Sequence, residues 1–246
     1  MGAVAAIHPG RVLQCFDHFV ADLRGDDGAD GPGAYFTVYA VEYSPEFGTG
    51  HVAFLRVRGA GAAGSTDDLD LTLTDNPALA HNMQARLRRM LVSTDMSRGI
   101  GTRLDQEPIP ARFQRLPWTA AGVGWQIDGD GVGPHIEARW TDGEAPIWTA
   151  APAGTFTDER DILGMLAGFG RATVEIDGRA VPGEPFADPW WETRLGRPFS
   201  SCHVALAEAS LEPGGGWWDT LAAPRANGHE GVAPDVAARN SATAGR

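Results

Sequence analysis

A chain of 246 residues, 43% of them hydrophobic, can bury the core of one large β domain or two small ones without disulfide or metal staples. Its net charge of -12 comes from 32 acidic residues against 20 basic ones, so a phosphate-tracking surface is not expected and nucleic acid is not a predicted partner. Every basic residue is arginine; the lack of lysine excludes Schiff-base and pyridoxal-phosphate chemistry and the Walker-A phosphate loop.

Cys15 and Cys202 are the two cysteines and lie far apart with no C-x-x-C spacing, which excludes a disulfide framework and a thiolate zinc site and makes a reducing cytoplasm the simplest compartment. The opening MGAVAAIHPG is broken by His8 and Pro9 and does not read as a signal peptide. No window approaches the uncharged apolar length of a membrane-spanning helix, so no span is expected.

Along the chain, a segment carrying Phe16 and Phe19 leads into RGDDGADGPG from Arg24, a run of turn formers and charge that reads as a loop. YFTVYAVEY from Tyr35 and HVAFLRVR from His51, with SPEFGTG between them, read as adjacent antiparallel strands. In DLDLTLTD, Leu69, Leu71 and Leu73 alternate with Asp70, Thr72 and Thr74, which predicts one dry and one wet face. A single amphipathic helix is expected from Asn76 to about Leu91, with Asn76 as N-cap, Pro77 at its first position and Leu79, Met83 and Leu87 spaced by four. Arg86, Arg88 and Arg89 near its C-terminal end suit the helix dipole.

Beyond Glu107 short β-like runs return at regular intervals: ARFQRL, GVGWQID, PHIEARW, a mixed segment from Ile162, RATVEIDG and SSCHVALAEASL. Many short strands with Gly and Pro at the joins predict a mostly β, antiparallel, lipocalin-like barrel or sandwich with one external amphipathic helix. The domain is expected to occupy residues 1–212, with 213–246 a largely disordered tail apart from the apolar pair Trp217 and Trp218.

Several motifs fail in context. Gly59, Gly61 and Gly64 spell a dinucleotide fingerprint, but an alternating strand follows where a helix N-terminus should stand, so no nucleotide cofactor is expected. Asp128 and Asp130 suggest a calcium loop, yet Val132 and Arg139 fall at ligand positions, and a hairpin turn fits better. His135, Glu137 and Arg139 share a strand face; an exposed ion-paired face is the expectation and no metal is assigned. Cys202 and His203 are neighbours in a strand and must point to opposite faces, which disfavours a Cys–His catalytic pair.

Residues 170–209 are the most informative. Asp188, Trp190, Trp191, Glu192 and Arg194 sit between two strands, and a carboxyl group beside large apolar rings is what acid catalysis uses, because desolvation disfavours the carboxylate. The same residues also fit a structural reading, in which the tryptophans plug one end of a barrel, Asp188 caps a turn and Glu192 pairs with Arg194.

This stretch, a G-x-x-x-V-x-I-D-G strand, a turn, an acidic-tryptophan segment and a strand with Cys-His, resembles the lipocalin-like proteins related to carotenoid 1,2-hydratase and the AttH group over about 40 residues. The resemblance implies a calyx for a lipophilic, isoprenoid-type ligand and a carboxylic acid that protonates an alkene, a role falling to Asp188 or equally to Glu192.

Two leading expectations follow. One is a cofactor-independent hydratase, isomerase or cyclase with Asp188 or Glu192 as acid and His203 as base, acting on a small hydrophobic ligand. The other is carriage of such a ligand without turnover. In both, Tyr39, Tyr43, Trp125, Trp140, Trp148, Trp190 and Trp191 are the candidate cavity lining. A carbohydrate-binding sandwich with a row of exposed indoles is the third reading.

Overall fold

The computed structural model describes residues 12–25, 33–44, 47–58, 69–91, 104, 106–151 and 162–210. The glycine motif at Gly59, Gly61 and Gly64, most of the acidic run after Arg24, the tail and its Trp217 and Trp218 lie outside the described residues.

In chain order come β1 (Val12–Arg24), β2 (Gly33–Tyr43), β3 (Gly50–Arg58), β4 (Leu69–Thr74), α1 (Pro77–Leu91), β5 (Ile109–Pro110) and β6 (Arg112–Thr119). They are followed by β7 (Gly122–Asp128), β8 (His135–Gly143), β9 (Ile147–Ala151), β10 (Ile162–Ile176), β11 (Arg179–Ala180), α2 (Pro189–Leu195) and β12 (Cys202–Ser210). All the strands join one sheet, in the order β5-β4-β3-β2-β1-β12-β10-β8-β7-β6, with β9 and β11 added on β10. The two ends of that order, β5 and β6, are separated in sequence by Ala111 alone. The sheet must therefore curl until its edges meet, and the result is a nearly closed, mostly antiparallel barrel. Among the described residues no backbone pairing joins the β4–β5 edge to β6; across that seam the His51 ring, at the start of β3, stacks on Phe113 of β6 at 5.1 Å.

Alternation along β1 sends Phe19, Ala21 and Leu23 into the barrel, where they meet Phe36, Trp125, Ile127, Ile136 and Trp140. Phe19 lies 5.5 Å from both indoles, and Trp140 Nε1 donates to the Val20 carbonyl at 2.7 Å. Trp125 and Trp140 are thus interlocked parts of a packed core rather than free cavity walls.

The convex face is covered as well. From α1, Leu79, Ala80, Met83 and Leu87 pack on Tyr39, Val41, Val52 and Phe54. This corrects the wet face expected for β4: Thr72 and Thr74 are 3% and 1% exposed, and Gln84 Nε2 donates to Thr72 Oγ1 at 3.2 Å. Threonines alternating with leucines predict water only where nothing else covers them.

A second helix, α2, corrects the expectation of a single one. Asp188 is its N-cap, accepting from Trp190 N–H; Pro189 holds its first position; and Gly196, at φ 67°, ends it in the left-handed region. The Asp188–Pro189 pair repeats the Asn76–Pro77 signature of α1, and was the available signal. Trp191 and Phe199 then cover Leu166 and Ala205 on the outer face of β10 and β12.

The mixed segment from Ile162 and the run RATVEIDG are one 15-residue strand, β10. It pairs with β12 through Gly168 and with β8 from Phe169 onward. The β7–β8 connection is the hairpin expected in place of a calcium loop, with Asp130 and Gly131 at φ 51° and 80°. Glu137 accepts from Arg139 at 2.6 Å and from Gln126 at 3.0 Å. Among the described residues no group of three or more metal-ligating side chains converges, and no helix is long and apolar enough to cross a membrane.

Candidate functional site

Between the two helices the outer face of the barrel forms a groove floored by β1, β2 and β12 and filled by its own side chains, Val20, Thr37, Tyr39 and His203 being buried. The register fixes its lining. Antiparallel pairing sets His18 opposite Tyr39, Val20 opposite Thr37, and Asp22 opposite Tyr35. On the other side Val20 stands opposite His203 and His18 opposite Ala205. Because Phe19, Ala21, Cys202 and Val204 face the interior, their neighbours His18, Val20, Asp22 and His203 face outward. The expectation that Cys202 and His203 point to opposite faces holds.

His18 sits at the centre. Its ring stacks on Tyr39 with centroids 4.0 Å apart and planes 10° from parallel, and its Nε2 is 2.7 Å from the Thr37 hydroxyl. His203 lies edge-on to it at 6.3 Å. Trp191 at 5.1 Å and Phe199 at 5.9 Å close the other sides of His203. The Nδ1 of His203 is buried with no hydrogen bond of good geometry among the described residues.

The electrostatics follow from burial. Desolvation pushes His203 down to about 4, although the backbones of Ser201 and Ser200 favour its cation. Burial, and then the neighbouring His203, hold His18 well below the usual imidazole range. Both rings are neutral bases at pH 7. Asp22 moves the other way: burial raises it to about 6, with Arg24 opposing and Asp188 reinforcing the rise. Tyr35 and Tyr39 are raised by burial and stay protonated. A carboxyl group that retains its proton up to about 6 therefore shares one face with an imidazole that refuses one, the divergence that separates acid from base.

The sequence-predicted residues divide. His203, Tyr39 and Trp191 come together in the groove. Asp188 stands at its margin, close enough to influence Asp22 and Tyr35, with Oδ1 committed to the Trp190 amide at 2.9 Å. Trp190 meets Trp191 edge-on at 4.7 Å and carries the Arg194 guanidinium over its ring. Glu192 is exposed on α2. Trp125 and Trp140 lie inside the barrel, and Tyr43 and Trp148 are exposed elsewhere, at 40% and 55%. The described indoles thus form no single row as a sugar platform would need.

His18, Asp22, Tyr35 and Thr37 were missed. The period-two order His18, Val20, Asp22, Arg24 was the available signal. It is masked because β1 is buried on both faces and its intervening residues are equally apolar.

Cys202, facing inward, is pushed up to about 12 by burial and is an inert thiol. Its sulfur and the Ser201 hydroxyl, at 2.6 Å, both reach the Asp22 carbonyl and pin β1 to the start of β12.

No protein-family model matches the chain, and no curated protein matches it. Among solved structures, an acetoacetate decarboxylase from Legionella pneumophila subsp. pneumophila aligns over 82% of this chain and 84% of its own, at 10% identity and a TM-score of 0.38. A second acetoacetate decarboxylase structure aligns over 82% of this chain and 86% of its own, at 12% identity and a TM-score of 0.40. Likenesses this distant say nothing about what the chain does.

Proposed function

We propose that the protein is a cofactor-independent acid–base enzyme of the hydratase or isomerase type, working on a small hydrophobic alkene in the outer-face groove. The observation that carries the reading is the buried His203 ring, enclosed by Trp191, Phe199 and His18, on the same face as the raised carboxyl of Asp22. Asp22 and His203 are diagonal neighbours across β1 and β12, with backbones about 7–8 Å apart.

In this reading Asp22 gives its proton to one alkene carbon, the π pair becoming the new C–H bond. The carbocation then loses a proton to His203, which completes an isomerisation, or it captures water whose surplus proton passes to His203, which completes a hydration. The rings of Tyr39, Trp191 and Phe199 shield the cation from bulk water and face it with electron density. This is the chemistry implied by the resemblance to the carotenoid 1,2-hydratase group, with the acid placed on Asp22 rather than Asp188 or Glu192.

The test is exchange in deuterium oxide. A panel of short isoprenoid alkenes is incubated with the protein, and carbon-bound deuterium is read by mass spectrometry. Uptake that falls about 10²–10⁴-fold in Asp22→Asn is expected for a positioned acid. Saturable binding with no uptake would favour carriage; uptake unchanged in Asp22→Asn would remove Asp22 from the role.

A further inference from the structure

At the barrel seam a second set of side chains comes together, independent of the groove and its residues. His51, on the inward face of β3, is held by Asp75 at two points. Asp75 Oδ1 accepts from the His51 backbone N–H and Oδ2 lies on the His51 ring Nδ1, both at 2.6 Å. Partial burial alone would raise Asp75, but these bonds outweigh it and the carboxyl is lowered. Asp75 is ionised at neutral pH and accepts from Nδ1, so the neutral imidazole carries its proton on Nδ1 and presents a lone pair at Nε2.

That lone pair stands among rings. The imidazole stacks on Phe113 at 5.1 Å and meets Trp125 edge-on at 5.3 Å. It remains 30% exposed, so it is reachable. Trp125 is 2% exposed and its Nε1–H has no acceptor among the described residues, a donor that normally costs free energy to bury unpaired.

The charges nearby are already matched. Arg115 reaches across from β6 to Asp17 on β1 at 2.7 Å, and Asp75 is spent on His51. What the seam lacks, among the described residues, is a hydrogen-bond donor for Nε2 and an apolar cover for the partly exposed Phe113 ring. A neutral hydroxyl on an aromatic ring supplies both.

We propose that the seam is a binding site for small neutral phenols, the hydroxyl donating to His51 Nε2 and the ring packing against Phe113. The probes are phenol and toluene, which share the ring and differ in the hydroxyl, titrated into the full chain; the His51 side-chain ¹⁵N signals report the hydrogen bond, and the Trp125 indole ¹H–¹⁵N signal reports the affinities in the unmodified chain and in every variant. Phenol should shift Nε2 saturably and bind about tenfold more tightly than toluene, the usual worth of one hydrogen bond.

His51→Phe keeps a ring against Phe113 but has no Nε2. Its phenol affinity should drop about tenfold, to the level of toluene, while toluene affinity stays put. His135→Gln, on the exposed face of β8, should leave both affinities unchanged. Equal binding of phenol and toluene by the unmodified chain, or no saturable shift with either, overturns the proposal. Unaltered phenol binding by His51→Phe does so as well. The phenol–toluene comparison uses the unmodified chain and decides the matter on its own should the variant not fold.

Discussion

Replacing Asp22 with asparagine tests the electrostatics of the groove directly. Burial lifts this carboxyl from 3.8 to about 6, so the folded chain holds the proton more tightly than the unfolded one. The advantage is complete below pH 3.8 and is lost as pH rises through 6. At about 1.4 kcal/mol for each pH unit separating the two values, the folded state gives up about 3 kcal/mol by about pH 7.5. Asparagine keeps the size and the polar surface but has no proton to lose. Relative to the parent, Asp22→Asn should gain about 2–3 kcal/mol more at about pH 7.5 than at about pH 4. Urea denaturation at the two pH values measures this. His203 works in the opposite sense, its lowered value removing stability as pH falls from 6.5 toward about 4. It is common to both proteins and cancels in the difference. An Asp22→Asn effect that is the same at both pH values, or a loss of stability that grows with pH, would refute the raised carboxyl and with it the acid assigned to the groove.

Two further outcomes follow from named contacts. Asp188→Ala should cost about 0.5–2 kcal/mol by uncapping α2, whereas Asp188→Asn should be near neutral because asparagine caps equally well; thermal melts of the pair check this. If Asp188→Asn lost as much deuterium uptake as Asp22→Asn, the acid role would return to Asp188. Gly122→Ala drives a Cβ into the Trp140 carbonyl oxygen at φ +135°; a loss of about 1–3 kcal/mol or more is expected by denaturant titration, and a neutral result would mean the β6–β7 turn is not held as described.

Much of the architecture was legible because local periodicity carries it. Tyr35–Tyr43 and His51–Arg58 pair as the alternating runs suggest, Asn76 and Pro77 open α1 where the caps suggest, and the hairpin at Asp130 and Gly131 follows from turn chemistry. These are interactions between residues close in sequence, and the residue types alone favour them. Even α2 was written in Asp188–Pro189 and Gly196, though its seven residues are too few for a hydrophobic period to stand out.

What tertiary structure alone decided is which face of each strand is covered, and by what. Thr72 and Thr74 look solvent-facing until α1 folds over them. His18, Asp22 and His203 look like scattered polar residues until β1 and β12, from the two ends of the described chain, pair in the register that sets Val20 against His203. The same holds for His51 and Asp75, which meet where β3 pairs with β4, and for Asp17 and Arg115, which meet only because the sheet curls until β6 faces β1 across the barrel. Desolvation depends on everything packed around a group, so the raised Asp22 and the lowered His203 exist only in the closed barrel. Sequence could name the strands, the turns and the helix caps. Neighbours across the sheet, and the chemistry they create in one another, were set by long-range pairing that no local pattern encodes.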